Sequence, residues 1–223
     1  MPKVSQEYLD QKKKSIADAA RRVCLRKPIA MVTMMDVIEE TGLSQGGIYR
    51  FYKDLDEILS AMVTEMRSDY NIIDDLEILF AKESEYGPAK IIHMVFDILA
   101  DVMEKHLMDI QKINFDLTVL AINEPDRAAK IVGGITGRSS MEYLSRVALP
   151  TLFQRGAELG WKFRDEPEKI ANYISSAYVG IEMNCILTAC YKKAPIGAMC
   201  KPKPLFDTMA RTVIYLCGGE EDE

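Results

Sequence analysis

Between Thr33 and Lys53 the chain carries helix-start and helix-stop residues at a spacing that leaves room for one local fold. Thr33 precedes an apolar periodic run, with Asp36 three residues on. The pair forms a capping box, in which each side chain can bond the other's backbone N–H. Met34, Val37, Ile38 and Thr41 then follow at i, i+3, i+4 and i+7, one face of a helix. Gly42 is placed to end that helix, since glycine takes left-handed dihedrals at little cost. Ser44 caps a short helix through about Tyr52, and Asp54 caps a further one, with Glu57 completing a second capping box. Ahead of these, Gln6 to Lys27 reads as a first helix with Ile16, Ala20, Val23 and Cys24 on one face, stopped by Pro28. Three short helices, the last two joined by the glycine-containing turn Thr41-Gly42-Leu43-Ser44, make a helix-turn-helix.

The rest of the chain also reads helical, because no run of strict alternation is long enough for a sheet. A fourth helix, Asp54 to about Ile73, carries the stripe Leu55, Ile58, Leu59, Met62, Met66, Tyr70 and Ile73. Gly87-Pro88 breaks the chain, and Pro88 suits the first turn of a new helix. From Ala89 to His106 the apolar arc is so broad that the helix must be buried on more than one side. Helices follow over about Met108–Ile122, irregularly to about Leu159 with a kink at Pro150, from Pro167 to about Tyr191, and over about Leu205–Cys217. Ala194–Pro204 reads as a loop. The expected fold is all-α, with about nine helices. The expected division is a helix-turn-helix domain over 1–55, a larger helical domain over 56–217 (which the family resemblance described below implies is ligand-binding and dimerising), and a disordered acidic tail over 218–223.

Charge supports that division. The net charge of −6 points away from nucleic acid if taken whole. Residues 1–53, however, hold ten basic and six acidic groups, or +4, and the remaining 170 hold 18 basic and 28 acidic, or −10. A basic reader attached to an acidic body is a division of labour between parts of one chain. The 48% apolar content excludes a disordered chain, and five scattered cysteines exclude a disulfide-stapled one. The longest stretch without charge is the twelve residues Ile170–Ile181, against the roughly 18 that a membrane span needs. No basic start followed by an apolar core suggests a signal peptide, so a cytoplasmic protein with no membrane association is expected.

The second helix of such a motif lies in the major groove while the first crosses over it. Ile38, Leu43 and Ile48 would pin that angle. The groove helix reads Gln45-Gly46-Gly47-Ile48-Tyr49-Arg50-Phe51-Tyr52-Lys53. Gln45 can pair bidentately with adenine, and Arg50 with guanine or phosphate. Gly46 and Gly47 allow close backbone approach, and Tyr49 and Lys53, four apart, could grip one phosphate strand. The segment from Thr33 to Leu59 resembles the DNA-binding domain of the TetR family. Its pattern of Thr, apolar pair, glycine turn, Ser cap, Gly-rich start, Tyr, aromatic pair and Glu-x-Leu falls in register over about 50 of 223 residues. Glu158-Leu-Gly-Trp-Lys-Phe-Arg-Asp-Glu-Pro is similar to the family's link between its seventh and eighth helices.

The resemblance implies that Thr33, Ser44, Tyr49 and Lys53 meet phosphates, with Tyr52 beside them, and that Gln45, Gly46, Gly47 and Arg50 face bases. Phe51 stands where the family often has His or Tyr, and Leu55 where some members have a basic residue, so two polar contacts are missing. It further implies a homodimer joined through helices at about 167–191 and 205–217, a double-stranded pseudo-palindromic operator, and release by a small, largely apolar effector that shifts the fourth helix. Repression is the expected mode. A DNA-binding protein regulated by a protein partner, or without an effector, is the alternative.

Effector contacts are expected among aromatic or polar residues on apolar faces: Phe96, Met103, Asn114, Tyr143, Tyr178 and Asn184. Each also reads as an ordinary core residue, and a buried amide needs a partner in either case. No catalytic residue, metal site or cofactor is expected. His93 and His106 are thirteen apart on different faces, and Gly133-Gly-Ile-Thr-Gly137-Arg lacks the spacing and lysine of a phosphate loop. Cys185 and Cys190, five apart on one helix, face each other poorly for a redox pair.

Overall fold

The computed structural model describes residues 5–190 and 200–220, with backbone alone at 83 and 84. Among the described residues it is all-α, with no strand. It divides into two compact units that do not follow the expected boundary at residue 55. One comprises the chain up to Asp69 together with Lys112–Gly137; the other comprises Tyr70–Gln111 and the described residues from Arg138 onward.

The first unit holds α1 (Gln6–Arg26), α2 (Met34–Thr41), α3 (Gln45–Tyr49), α4 (Leu55–Asp69), α7 (Lys112–Asn123) and α8 (Pro125–Gly133). Helix α1 buries Ile16, Ala17, Ala20, Val23 and Cys24, close to the face read from its periodicity. Helix α4 belongs here because its buried stripe, Ile58, Leu59, Met62, Val63 and Met66, packs against α1 and α8. Polar bonds close the same joints. The Ser60 hydroxyl donates to the Ile131 carbonyl at 2.8 Å, and the Thr136 amide donates to Thr64 Oγ1 at 3.1 Å. At the start of α4, Arg127 Nε lies 3.0 Å from Asp56, and Lys130 Nζ lies 2.8 Å from Asp54 and 3.2 Å from Asp56. Lys112 Nζ donates to the Cys24 carbonyl at 2.6 Å, tying α7 to the end of α1. The expected fourth helix therefore stops four residues early, and α4 is held by α8 rather than standing alone.

The second unit holds α5 (Ile73–Phe80), α6 (Glu83–His106), a π turn (Leu107–Gln111), α9 (Ser140–Tyr143), a second π turn (Leu144–Ala148), α10 (Leu149–Glu158), α11 (Pro167–Cys190) and α12 (Pro202–Cys217). Asn71 Oδ1 accepts from the Ile73 amide at 3.0 Å and so starts α5. Within α6, Gly87 takes φ 74°, and the regular helix runs from Pro88, the break that Gly87-Pro88 announces. The broad apolar arc of α6 packs on α12, α5 and α10. Phe206 is fully buried at the centre, with ring centroids 6.2 Å from Phe96 and 5.8 Å from Tyr178. The expected Ala194–Pro204 loop lies partly outside the described residues; α12 already begins at Pro202.

One correction concerns the start of the tail. Gly218 caps α12 with φ 87°, and the Gly219 amide donates back to the Ile214 carbonyl at 3.0 Å. A Cβ on Gly219 would fall 2.5 Å from the Trp161 ring, and one on Gly156 would fall 2.7 Å from it. Trp161 is thus clasped by two glycines, and residues 218–219 are packed rather than disordered. Residues 221–223 lie outside the described residues. No described helix is long and apolar enough to cross a membrane.

Candidate functional site

The helix-turn-helix is built as its punctuation dictates. The Thr33 amide and hydroxyl both donate to Asp36 Oδ2 at 2.7 Å, and Thr33 Oγ1 accepts from the Asp36 amide at 3.2 Å. Lys27 Nζ donates to the same carboxylate oxygen at 2.7 Å. Lys27, followed by the Thr33 bonds, holds the Asp36 carboxyl down to about 2. Gly42 takes φ 66° and turns the chain. Ser44 Oγ accepts from the Gly47 amide at 3.2 Å and starts α3. Ile48 is fully buried and pins α3, while Ile38 and Leu43 are half-buried beside it.

This framing leaves Thr33, Ser44, Gln45, Gly46, Tyr49, Arg50 and Lys53 exposed, with Gly47 half-buried. Gly46 is informative. A Cβ there would meet no atom of the chain within 4 Å, so nothing internal requires glycine. Yet glycine costs a helix up to about 1 kcal/mol against alanine. At Gly47 the reason is partly internal, since a Cβ would lie 3.3 Å from Ser44 Oγ.

Tyr52 is a correction. It is only 6% exposed, and its hydroxyl donates to the Lys13 carbonyl at 3.1 Å. Burial, then the charges of Glu65 and Glu57, push that hydroxyl up to about 12. Tyr52 ties α1 to the turn after α3, because the second aromatic of the pair falls on the buried face. Thr33 is exposed but its hydroxyl is already committed to Asp36. Lys13, absent from the expected contacts, sits on α1 beside Tyr52 with an exposed side chain.

The basic excess of the N-terminal segment is also sorted by the fold. Arg22 and Arg26 share Glu40, Lys27 is held by Asp36, and Lys14 lies 3.3 Å from Glu65. Among the described residues, the side chains of Lys13, Arg50 and Lys53 make no ion pair. These three cations thus lie just after α3 and on α1.

The second unit holds a partly open, largely apolar cavity of about 270 Å³, with Ser145 and Ser175 in its lining. Ile92, Val95, Phe96 and Leu99 of α6 line it, with Leu152 and Phe153 of α10, Ile174 and Tyr178 of α11, and Met209 and Val213 of α12. Of the six expected contacts, only Phe96 and Tyr178 are in this lining. Met103 is fully buried in the surrounding core. Tyr143 is half-buried under the Arg138 guanidinium, 5.7 Å from its ring centre. Asn114 and Asn184 are corrections, since both are exposed. Asn114 lies on α7 in the first unit, and Asn184 Nδ2 donates to the Gly180 carbonyl of its own helix at 2.7 Å. The missed lining residues read in sequence as plain stripe positions. Two missed polar residues stand out: Gln111 is 4% and Glu182 9% exposed. Glu182 could have been noticed, since it ends the charge-free run Ile170–Ile181.

The comparisons with known proteins follow the geometry. Residues 16–62 match the "Bacterial regulatory proteins, tetR family". This stretch, α1 through the first half of α4, is similar to the family's N-terminal helix-turn-helix domain. Over 62 residues, 28% of this chain, it is 37% identical to an uncharacterized HTH-type transcriptional regulator, YfiR, of Bacillus subtilis (strain 168). That match spans 30% of the relative's length. In fold, the chain is similar to a solved structure from Mesorhizobium loti MAFF303099 described as a TetR-family transcriptional regulator. The TM-score is 0.62 at 15% identity, covering 94% of this chain and 98% of that one. The TetR-type match ends inside α4, four residues past the Ile58 that starts its buried stripe.

Proposed function

We propose that this chain is a homodimeric, ligand-responsive transcriptional regulator, a repressor that binds a pseudo-palindromic operator and is released by a small, largely apolar effector. The observation that carries the DNA half is Gly46: an exposed helical glycine with open space around it, flanked by the unpaired cations of Arg50 and Lys53. A helix position that gives up stability with no internal reason is suited to an external surface that comes closer than a Cβ allows. One helix of this length reads few base pairs, so a two-fold pair reading half-sites roughly 34–36 Å apart supplies the specificity. Exposed apolar groups on α11 and α12, Tyr173, Val179, Met183 and Tyr215, support the dimer face. The cavity of the second unit supports a small-molecule effector over a protein partner. Such a ligand must bind one state of the dimer better than the other.

Footprinting on DNA upstream of the chain's own gene, followed by gel shifts on the protected fragment, tests the reading. Arg50→Ala should weaken binding by about 1–3 kcal/mol, roughly ten- to hundredfold. Affinity of the wild type should fall steeply with salt as phosphate contacts release counterions. An unchanged Arg50→Ala affinity would remove Arg50 from the contact set, and a flat salt response would argue against DNA altogether.

A further inference from the structure

The cavity of the second unit differs in chemistry between its depth and its mouth. At depth, Leu99 of α6, Leu152 of α10 and Val213 of α12 are buried. Two of the aromatic walls, Phe96 and Tyr178, rest on one fully buried ring, Phe206, at 6.2 and 5.8 Å between centroids. The third, Phe153, packs edge to face with Phe163 at 5.5 Å. Rings backed in this way are held in place before a ligand arrives. At the mouth, Met141, Ser145 and Ser175 are exposed. Ser145 Oγ donates to the Glu142 carbonyl at 3.2 Å, which leaves its lone pairs open to a donor. The Ser175 hydroxyl bonds no group among the described residues.

Among the described residues that line the cavity, none is Asp, Glu, Lys, Arg or His. The polar groups of the lining are three neutral hydroxyls, those of Ser145, Ser175 and Tyr178. An ionised head drawn into such a site would lose its water and meet no counter-charge, a far larger penalty than a neutral polar group pays. A hydroxyl or carbonyl at the mouth needs only a hydrogen bond to stay satisfied, and the two serines offer one. The three aromatic walls favour a ring in the body, since edge-to-face and offset pairs attract beyond the area they bury. At about 270 Å³ the cavity sits just below the ~300–1,000 Å³ of usual ligand clefts, which suits one ring and a short chain. We infer that the effector is an uncharged arene carrying a short chain and one neutral oxygen function, with its ring among Phe96, Phe153 and Tyr178 and its oxygen at the mouth beside Ser145 and Ser175. This rests on the effector reading above and names the chemistry of that ligand.

Four probes test it at pH 7, where the amine and the acid are ionised: 4-phenylbutan-1-ol, 4-phenylbutylamine, 4-phenylbutanoic acid and the ringless octan-1-ol. Calorimetric titration would be run on the full-length protein, on the double variant Ser145→Ala with Ser175→Ala, and on Leu99→Trp and Val213→Phe, each of which fills the cavity. Circular dichroism checks that each variant is folded. The phenyl alcohol should bind at least tenfold more tightly than either ionised probe and several-fold more tightly than octan-1-ol. The double serine variant should weaken the phenyl alcohol about fivefold, and the filled variants should remove its binding. An ionised probe bound as tightly as the phenyl alcohol, and lost when the cavity is filled, would overturn the uncharged head and keep the cavity as an effector site. Octan-1-ol bound as tightly would overturn the arene in the same way, and an unchanged double serine variant would overturn the placement of the oxygen. No binding by any probe to the wild type would overturn both this inference and the effector reading.

Discussion

The two compact units treat buried polarity in opposite ways. In the first, the one buried polar side chain among the described residues, Ser60, donates to a carbonyl on α8, and the ion pairs of Asp54 and Asp56 with Arg127 and Lys130 reinforce the same joint. In the second, Gln111 and Glu182 are buried, and Gln111 Oε1 has no hydrogen-bond partner. A unit that carries a reading helix benefits from being closed, because base contacts need α3 held at a fixed angle. Under the proposed effector response, the second unit benefits from groups whose satisfaction waits for a ligand, since only differential affinity between states shifts an equilibrium. The contrast predicts that deleting a buried polar group should have opposite signs in the two units.

The largest effect is expected at Glu182. Its carboxyl is held at about 7 in the folded protein against a reference of 4.5. The folded state therefore keeps a proton that the unfolded chain has lost over that interval. Stability is full below pH 4.5, falls as pH rises toward about 7, and levels above it. Glu182→Gln keeps the shape and removes the titration. At pH 8 the variant should be more stable than wild type by about 2–3 kcal/mol, with the gain vanishing near pH 4.5. Urea melts at the two pH values measure it. A Glu182→Gln variant less stable than wild type at pH 8 would mean that Glu182 has a partner in the dimer, and the contrast between units would lose its strongest case.

Ser60→Ala should run the other way. It removes the donor from the Ile131 carbonyl, which stays buried, at a cost of about 1–3 kcal/mol. The loss should appear as a lower urea midpoint with an unchanged slope. Gln111→Leu is its counterpart: it removes an unpaired buried acceptor along with the hydrogen bond to Tyr178, and should cost less than Ser60→Ala. Should both substitutions destabilise equally, the second unit would be as closed as the first.

The first unit was the more legible of the two in sequence, and for a physical reason. Caps and turns are local: Thr33 with Asp36, Gly42, and Ser44 with Gly47 interact over three or four residues, and each was found where its chemistry demands. The fold class followed from the same punctuation. Tertiary partners were not legible. That Tyr52 points inward depends on Lys13, thirty-nine residues away, and that α4 packs on α8 depends on a contact seventy-one residues apart. The cavity suffered most. A polar residue on an apolar stripe suggests a pocket, but Asn184 satisfies itself on its own helix and Asn114 faces outward. The lining residues Leu99, Phe153 and Ile174 carry no mark that separates a cavity wall from a filled core.

Gly46 gives the smallest change in stability and the sharpest separation of fold from function. Alanine there meets nothing within 4 Å, so the substitution adds no internal clash. It relieves the entropy that glycine loses in a helix, and the protein should gain a few tenths to about 1 kcal/mol. At the operator the same methyl group would stand between α3 and the DNA. Affinity in a gel shift should fall roughly tenfold, on the order of 1.4 kcal/mol. Arg50→Ala lowers affinity by losing a contact, whereas Gly46→Ala lowers it while making the free protein more stable. A Gly46→Ala protein that gains stability and binds the operator at wild-type strength would place the closest approach of the DNA elsewhere on α3, at Gly47 or Gln45.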